Sequence, residues 1–165
     1  MAIDLEGAVA RYLTCGGRVF ISSQMDLAWD AVARTGGSCP DFVALDFTQK
    51  EVVVVEVTES ASVRALSERI KQRETRWYRP LQTLFSAPGA YWGALDAWSY
   101  RFIGFVRDEN LKGLYATFKN DADVCFVGLE AVLLAYRYWT KRNENGLPRL
   151  TWPTATPPPE SETTL

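Results

Sequence analysis

Two neighbouring strand-like segments constrain this chain more than any other feature. Residues 41–47 and 51–58 are apolar at almost every position, so both faces of each predicted strand must be covered by other elements. A tight turn centred between Thr48 and Gln49 would join them as an antiparallel hairpin in which paired residue numbers sum to 97. This pattern predicts the central strands of a layered sheet.

The same register brings two acids together. Asp41 follows Pro40 at the start of the first strand, and Glu56 lies opposite it near the end of the second. Cβ atoms of such a pair are roughly 5 Å apart. Two carboxylates at this separation repel each other, and a divalent cation with oxygen ligands is a common solution. Two alternatives stay open: Asp41 bonds its local backbone in a turn, and Glu56 pairs with an arginine or reaches solvent.

The remaining pattern predicts one α/β domain over residues 1–142, with a mixed β-sheet flanked by helices. The elements expected around the hairpin are a helix at 4–13, a strand at 19–22, a brief helix at 25–34, a helix at 62–85 with a break near Pro80, strands at 100–106 and 124–127, and a helix at 129–142. Residues 143–165 are rich in proline, threonine and glutamate, which predicts a disordered tail.

Composition excludes several classes of chemistry. The chain has no histidine, so Ser-His-Asp hydrolysis and histidine-ligated zinc are excluded. The three cysteines, Cys15, Cys39 and Cys125, are widely spaced, which argues against a disulfide framework and favours the cytoplasm. The acidic start and the lack of a long apolar run predict no signal peptide and no membrane partner.

Charge is distributed unevenly along the chain. The net charge is -2, yet residues 64–79 hold six bases against two acids. The bases are Arg64, Arg69, Lys71, Arg73, Arg76 and Arg79. On the predicted helix, these arginines suit phosphate contacts, and Trp77 and Tyr78 suit base stacking. The alternative is a solvated helix face with Trp77 in the core.

The acids and the order of elements together resemble the PD-(D/E)XK nuclease superfamily. Asp41 after Pro40 matches the first half of its motif, and Glu56-Val57-Thr58 matches the second half except that Thr58 replaces the family's lysine. The resemblance covers roughly residues 4–140. It implies a restriction-endonuclease-like core of a helix, a three-strand meander, a crossover helix, two further strands and a helix.

The resemblance also implies a cofactor and its ligands. Asp41, Glu56 and the backbone carbonyl of Val57 would hold Mg²⁺ or Mn²⁺, with Glu6 on the first helix as a further ligand. Lys71 on the crossover helix would substitute for the missing catalytic lysine. The implied activity is metal-dependent cleavage of phosphodiester bonds in nucleic acid, with DNA the favoured substrate.

A different class of function competes with this one. The chain could be a catalytically inactive nuclease-fold module that binds nucleic acid, a protein partner within a larger complex, or a second copy of itself. Thr58 at the lysine position favours this alternative, whereas the presence of both Asp41 and Glu56 favours the enzyme.

Overall fold

The computed structural model describes residues 4–87, 95 and 97–134. The strands are β1 (Val19–Ser23), β2 (Phe42–Asp46), β3 (Glu51–Thr58), β4 (Ser99–Val106) and β5 (Val124–Gly128). The helices are α1 (Leu5–Thr14), α2 (Arg64–Lys71), α3 (Arg79–Phe85), α4 (Asp108–Thr117) and α5 (Leu129–Leu134), with one π-helical turn at Glu74–Tyr78. No helix in this described part of the chain combines the length and apolar content needed to cross a bilayer.

The strands form one mixed sheet in the order β1-β2-β3-β4-β5, which confirms the predicted α/β domain with a mixed sheet flanked by helices. The first three strands are antiparallel neighbours, whereas β3, β4 and β5 are parallel. Parallel neighbours require crossover connections, and the helical segment 64–85 supplies the first of these. β3 therefore lies at the centre of the sheet.

The predicted hairpin register is confirmed. Phe42 pairs with Val55 and Asp46 with Glu51, so paired numbers sum to 97. The turn is held by the buried Asp46 carboxylate, which accepts hydrogen bonds from the backbone N–H groups of Thr48 (2.9 Å) and Gln49 (3.2 Å). This local capping sets the loop length and therefore the register.

Helices cover both faces of the sheet, as the apolar strands required. All of β2 and the first six residues of β3 are buried. α2, the π-helical turn, α3 and α4 pack on the face that includes Val43, Val54 and Phe102. We call this the crossover face. α1 and α5 pack on the opposite face, which includes Val53 and Phe105.

The π-helical turn explains how one apolar stripe stays on the sheet over a long helical segment. Leu66 and Phe85 are both buried although 19 residues separate them. At about 100° per residue, an ideal α-helix would leave these two side chains about 100° apart around its axis. A π-helical turn contains more residues per turn and so offsets part of this drift. The predicted helix at 62–85 is thus present with an irregular centre, and Pro80 is at the second position of α3.

Pro80 also links this segment to the loop before β2. In the π-helical turn, the Arg79 N–H donates to the Glu74 carbonyl, but Pro80 has no N–H to donate to the carbonyl of Thr75. The Gly36 N–H makes that bond instead, at 2.9 Å. Gly36 has φ +87°, and a Cβ there would overlap the Ala28 carbonyl oxygen, so only glycine fits.

The helix predicted at 25–34 is wrong. These residues belong to a small hairpin with isolated bridges between Leu27 and Ser38 and between Asp30 and Thr35. The Asp30 carboxylate accepts hydrogen bonds from the N–H groups of Val32 and Ala33, both at 2.9 Å. An aspartate that bonds the backbone two and three residues ahead stabilises a turn, and here no helix continues from it.

Two further differences lie in the second half of the chain. α4 was not predicted, because Leu114 is its one buried residue and its apolar periodicity is correspondingly weak. The predicted closing helix is described only as far as Leu134; its continuation to residue 142 and the predicted tail at 143–165 lie outside the described residues.

An ion-pair cluster fixes the crossover segment against the loop before β5. The Arg73 guanidinium donates to Asp121 and to Asp123, each at 2.6 Å, and the Tyr78 hydroxyl donates to Asp123 at 2.9 Å. Burial pushes the pKa of Asp123 upward, but the hydrogen bonds and charge of Arg73 and the Tyr78 hydroxyl outweigh it and leave that pKa below its usual value. Arg73 is therefore a structural residue of the fold.

We expect Arg73→Ala to lower the free energy of unfolding by about 3 kcal/mol, because two partly buried carboxylates lose their counter-charge. The matched control is Arg79→Ala on the same segment, whose exposed pair with Glu74 (3.4 Å) is worth at most about 0.5 kcal/mol. Urea denaturation of both variants measures the two costs. Equal costs would contradict the structural role of Arg73.

Candidate functional site

The candidate site lies where β2 begins and β3 ends. Phe42 pairs with Val55, and one further step of the same register places Asp41 opposite Glu56. Side chains alternate along a strand, and Val43 and Val54 belong to the crossover face. Asp41 and Glu56 therefore share that face, at the carboxyl ends of the parallel strands, where open α/β sheets commonly bind ligands.

Asp41 bonds across the hairpin. Its Oδ2 atom accepts a hydrogen bond from the Val57 N–H at 2.7 Å, sixteen residues away in the chain. Asp41 therefore bonds a distant strand, and the alternative in which it bonds only its local backbone does not account for this hydrogen bond. The bond fixes the Asp41 carboxylate beside the end of β3.

Glu56 is buried and faces a guanidinium. Only 4% of the residue is exposed, and its Oε2 atom lies 2.8 Å from an Nη atom of Arg69 on α2. Burial raises the pKa of Glu56 to about 7; Arg69 opposes this rise, Asp41 adds to it and Arg76 opposes it. Near neutral pH, both protonation states of Glu56 are therefore populated.

The cation beside Glu56 is Arg69, whereas Lys71 points elsewhere. The Lys71 ammonium pairs with Glu68 at 2.9 Å, and both side chains are more than half exposed. The sequence predicted Arg69 as a phosphate-binding residue. The open alternative that Glu56 pairs with an arginine is confirmed, but the sequence did not identify Arg69 as that arginine. The available signal was its position directly before Ile70, a residue of the apolar stripe, because such a position lies at the margin of the buried face.

Glu6 and Val57 lie near each other at the end of β3, on the face of the sheet that α1 covers. Val57 packs against the α1 face, and together with Asp4, Leu5, Glu6 and Glu59 it lines a shallow cavity of about 270 Å³. Glu6 is exposed in the first turn of α1. The structure thus places Glu6 beside Val57, but on the face opposite to Glu56.

Most of the positive charge at 64–79 is compensated within the fold. Arg69, Lys71, Arg73 and Arg79 each form an ion pair, and only Arg64 and Arg76 form none with a described residue. Trp77 is fully buried and stacks on Phe102 with ring centroids 5.4 Å apart, so the core interpretation of this tryptophan is correct. Within this segment, only the basic side chains that remain accessible to solvent can contact phosphates.

The donor set is compatible with a hard divalent cation. Among the described residues, no three acidic or cysteine side chains are grouped so as to hold a metal, which leaves the pair Asp41 and Glu56 as carboxylate donors. Mg²⁺ in proteins is commonly bound by one or two carboxylates, with waters and substrate phosphates completing its coordination. Two carboxylates therefore suit Mg²⁺ or Mn²⁺ together with a phosphate substrate.

We expect the pH dependence of stability to identify Glu56. The folded-state pKa near 7 lies above the ordinary value of 4.5, so the folded protein binds more protons between these pH values, and stability falls as pH rises through this window. Glu56→Gln removes this loss. The variant should gain on the order of 3 kcal/mol over wild type between pH 5 and pH 8, measured by urea denaturation at each pH.

Glu59→Gln, an exposed acid just beyond β3, is the matched control for this comparison. A difference between Glu56→Gln and wild type that stays constant from pH 5 to pH 8 would show that Glu56 is ionised throughout.

No family model, no curated protein and no solved structure matches the chain.

Proposed function

We propose that this protein is a metal-dependent phosphodiesterase that acts on nucleic acid, with DNA the favoured substrate. The observation that carries the proposal is the placement of Asp41 and Glu56 on one face at the end of a hairpin. A crossover helix packs over that face, and a parallel strand follows. The same arrangement is implied by the resemblance to the PD-(D/E)XK superfamily.

Asp41 and Glu56 are the proposed carboxylate ligands, with the Val57 carbonyl as a further candidate; Glu6 is left out of the proposed set because it lies on the opposite face of the sheet. When bound, Mg²⁺ or Mn²⁺ supplies charge stabilisation at the scissile phosphate and a lowered pKa for a bound water. The Val57 N–H holds the Asp41 carboxylate in place for this role. Glu56 must give up its proton to act as a ligand, so its raised pKa makes ion binding strengthen up to about pH 7.

Arg69 is a better candidate than Lys71 for the role that the motif lysine has in the PD-(D/E)XK superfamily. Thr58 cannot serve, and Lys71 pairs with Glu68 at the surface. Arg69 already contacts Glu56 and keeps 39% of its side chain exposed, so it can reach a substrate placed beside the carboxylates.

A specific observation supports the second candidate, a non-catalytic binding module. The ion pair between Glu56 and Arg69 neutralises the buried carboxylate without any metal. A site without catalytic activity would tolerate both this ion pair and the threonine at the position of the motif lysine. Such a module would bind nucleic acid or a protein, and metal would leave its stability unchanged.

The two candidates differ in their response to metal. If the protein is the enzyme, saturating Mg²⁺ or Mn²⁺ should raise the melting temperature, because a ligand at 100 times its Kd stabilises the native state by about 2.7 kcal/mol. Plasmid and single-stranded DNA should be cut with metal and stay intact with chelator. Asp41→Asn keeps an oxygen for the Val57 N–H and should abolish both effects.

Asp26→Asn, at an exposed acid outside the site, is the control that should retain both effects. Finding neither metal-induced stabilisation nor cleavage of DNA or RNA in the wild type would favour the binding module.

The nucleic-acid part of the proposal has a test of its own. Each phosphate neutralised on duplex DNA adds about 0.9 to the slope of log affinity against log salt. If Arg64 and Arg79, both exposed on the crossover segment, contact phosphates, the double variant Arg64→Gln/Arg79→Gln should flatten this slope by roughly two units. An unchanged slope on folded protein would place nucleic acid away from this surface.

A further inference from the structure

Two arginines beside Glu56 have buried hydrogen-bond donors for which the described part of the chain provides no acceptor. The Nε atoms of Arg69 and Arg76 are buried, yet neither donates to any described residue. A buried donor without an acceptor loses the hydrogen bond that it would make with water in the unfolded chain, so leaving it without a partner is unfavourable. Two such donors next to the same carboxylate point to an acceptor that arrives with a ligand.

Arg69 and Arg76 occupy equivalent positions relative to the buried side chains of the helical segment. Arg69 directly precedes Ile70, and Arg76 directly precedes Trp77; Ile70 and Trp77 are both fully buried on the crossover face. Each arginine therefore lies at the margin of the buried stripe. Both guanidiniums act on Glu56, Arg69 through a 2.8 Å contact and Arg76 through its charge. They consequently face the same end of the sheet.

Charge selects the kind of ligand. Among the described residues, Arg76 forms no ion pair and Arg69 pairs only with Glu56. With Asp41 and Glu56 engaged with a divalent cation, as proposed above, the two guanidiniums leave the site with a net charge of +2. The planar guanidinium donates two parallel hydrogen bonds to a phosphate or carboxylate, and it binds such oxyanions better than lysine does.

We propose that Arg69 and Arg76 form an oxyanion site that takes a phosphate group of the substrate backbone beside Asp41 and Glu56. The identity of the phosphate carrier rests on the proposed function, whereas phosphate binding by the two arginines can be tested without catalysis. Arg76 is the informative position, because its removal breaks no ion pair that the described residues form.

Inorganic phosphate is the probe, titrated in a phosphate-free buffer at constant ionic strength with chloride as the matched salt. Calorimetry and thermal unfolding are followed for wild type, Arg76→Gln, Arg76→Lys and the control Arg11→Gln, an exposed arginine on α1 on the opposite face of the sheet, each with and without Mg²⁺. Arg76→Gln should bind phosphate about 10- to 100-fold more weakly than wild type, as expected for lost hydrogen bonds to a charged group. Arg76→Lys should recover part of the loss, and Arg11→Gln should match wild type.

The outcomes separate this inference from the proposed function. Phosphate binding that is equal in wild type and Arg76→Gln, or that chloride reproduces, overturns the oxyanion site even when Mg²⁺ still stabilises the protein. Arg76-dependent phosphate binding without any Mg²⁺ effect supports the oxyanion site and contradicts the metal-dependent enzyme. Arg76-dependent phosphate binding together with Mg²⁺ stabilisation supports both.

Discussion

The central strand β3 carries two carboxylates inside a sheet that is covered on both faces, and the fold has to neutralise each of them. Glu51 faces the α1 side and lies 2.7 Å from Arg101 on the neighbouring strand β4, with both side chains almost fully buried. Glu56 faces the crossover side and meets Arg69, whose side chain stays partly exposed. Breaking a buried ion pair costs more than the pair contributes, so these contacts fix β4 and α2 against β3. The pair of Glu51 and Arg101 is shielded from solvent, whereas the pair of Glu56 and Arg69 is partly accessible through the Arg69 side chain.

Glu56 can be neutralised by a proton or by Arg69 and, in the proposed enzyme, by a metal ion. Burial and the nearby Asp41 favour the proton, which is why the pKa of Glu56 is close to 7, while Arg69 and Arg76 favour the carboxylate. The enzyme and the binding module share this fold and differ in which of these states the protein occupies when its ligand is present. The state of this one side chain would therefore distinguish the two proposed functions.

Local chemistry explains which features could be predicted from the sequence. The pairing of Asp41 with Glu56 followed from alternating side chains and a tight turn centred between Thr48 and Gln49, all within sixteen residues; the structure adds that Asp46 holds this turn. The partners of Arg69 and Arg73 could not be predicted in this way, because Glu56, Asp121 and Asp123 reach them only through tertiary packing. The mistaken helix at 25–34 has a local cause too, since an aspartate before a short apolar run fits a helix start and a tight turn equally well.

The bond between Gly36 and the Thr75 carbonyl gives Pro80 a role outside its own helix. Replacing a proline inside a helix with alanine normally strengthens the helix, because the missing N–H is restored. Here the restored N–H would compete for the carbonyl that anchors the loop of residues 24–40. That loop leads directly into Asp41, so a change that favours the helix would loosen the segment that positions a carboxylate of the site. Selection for thermal stability and selection for ligand binding would then act in opposite directions at position 80.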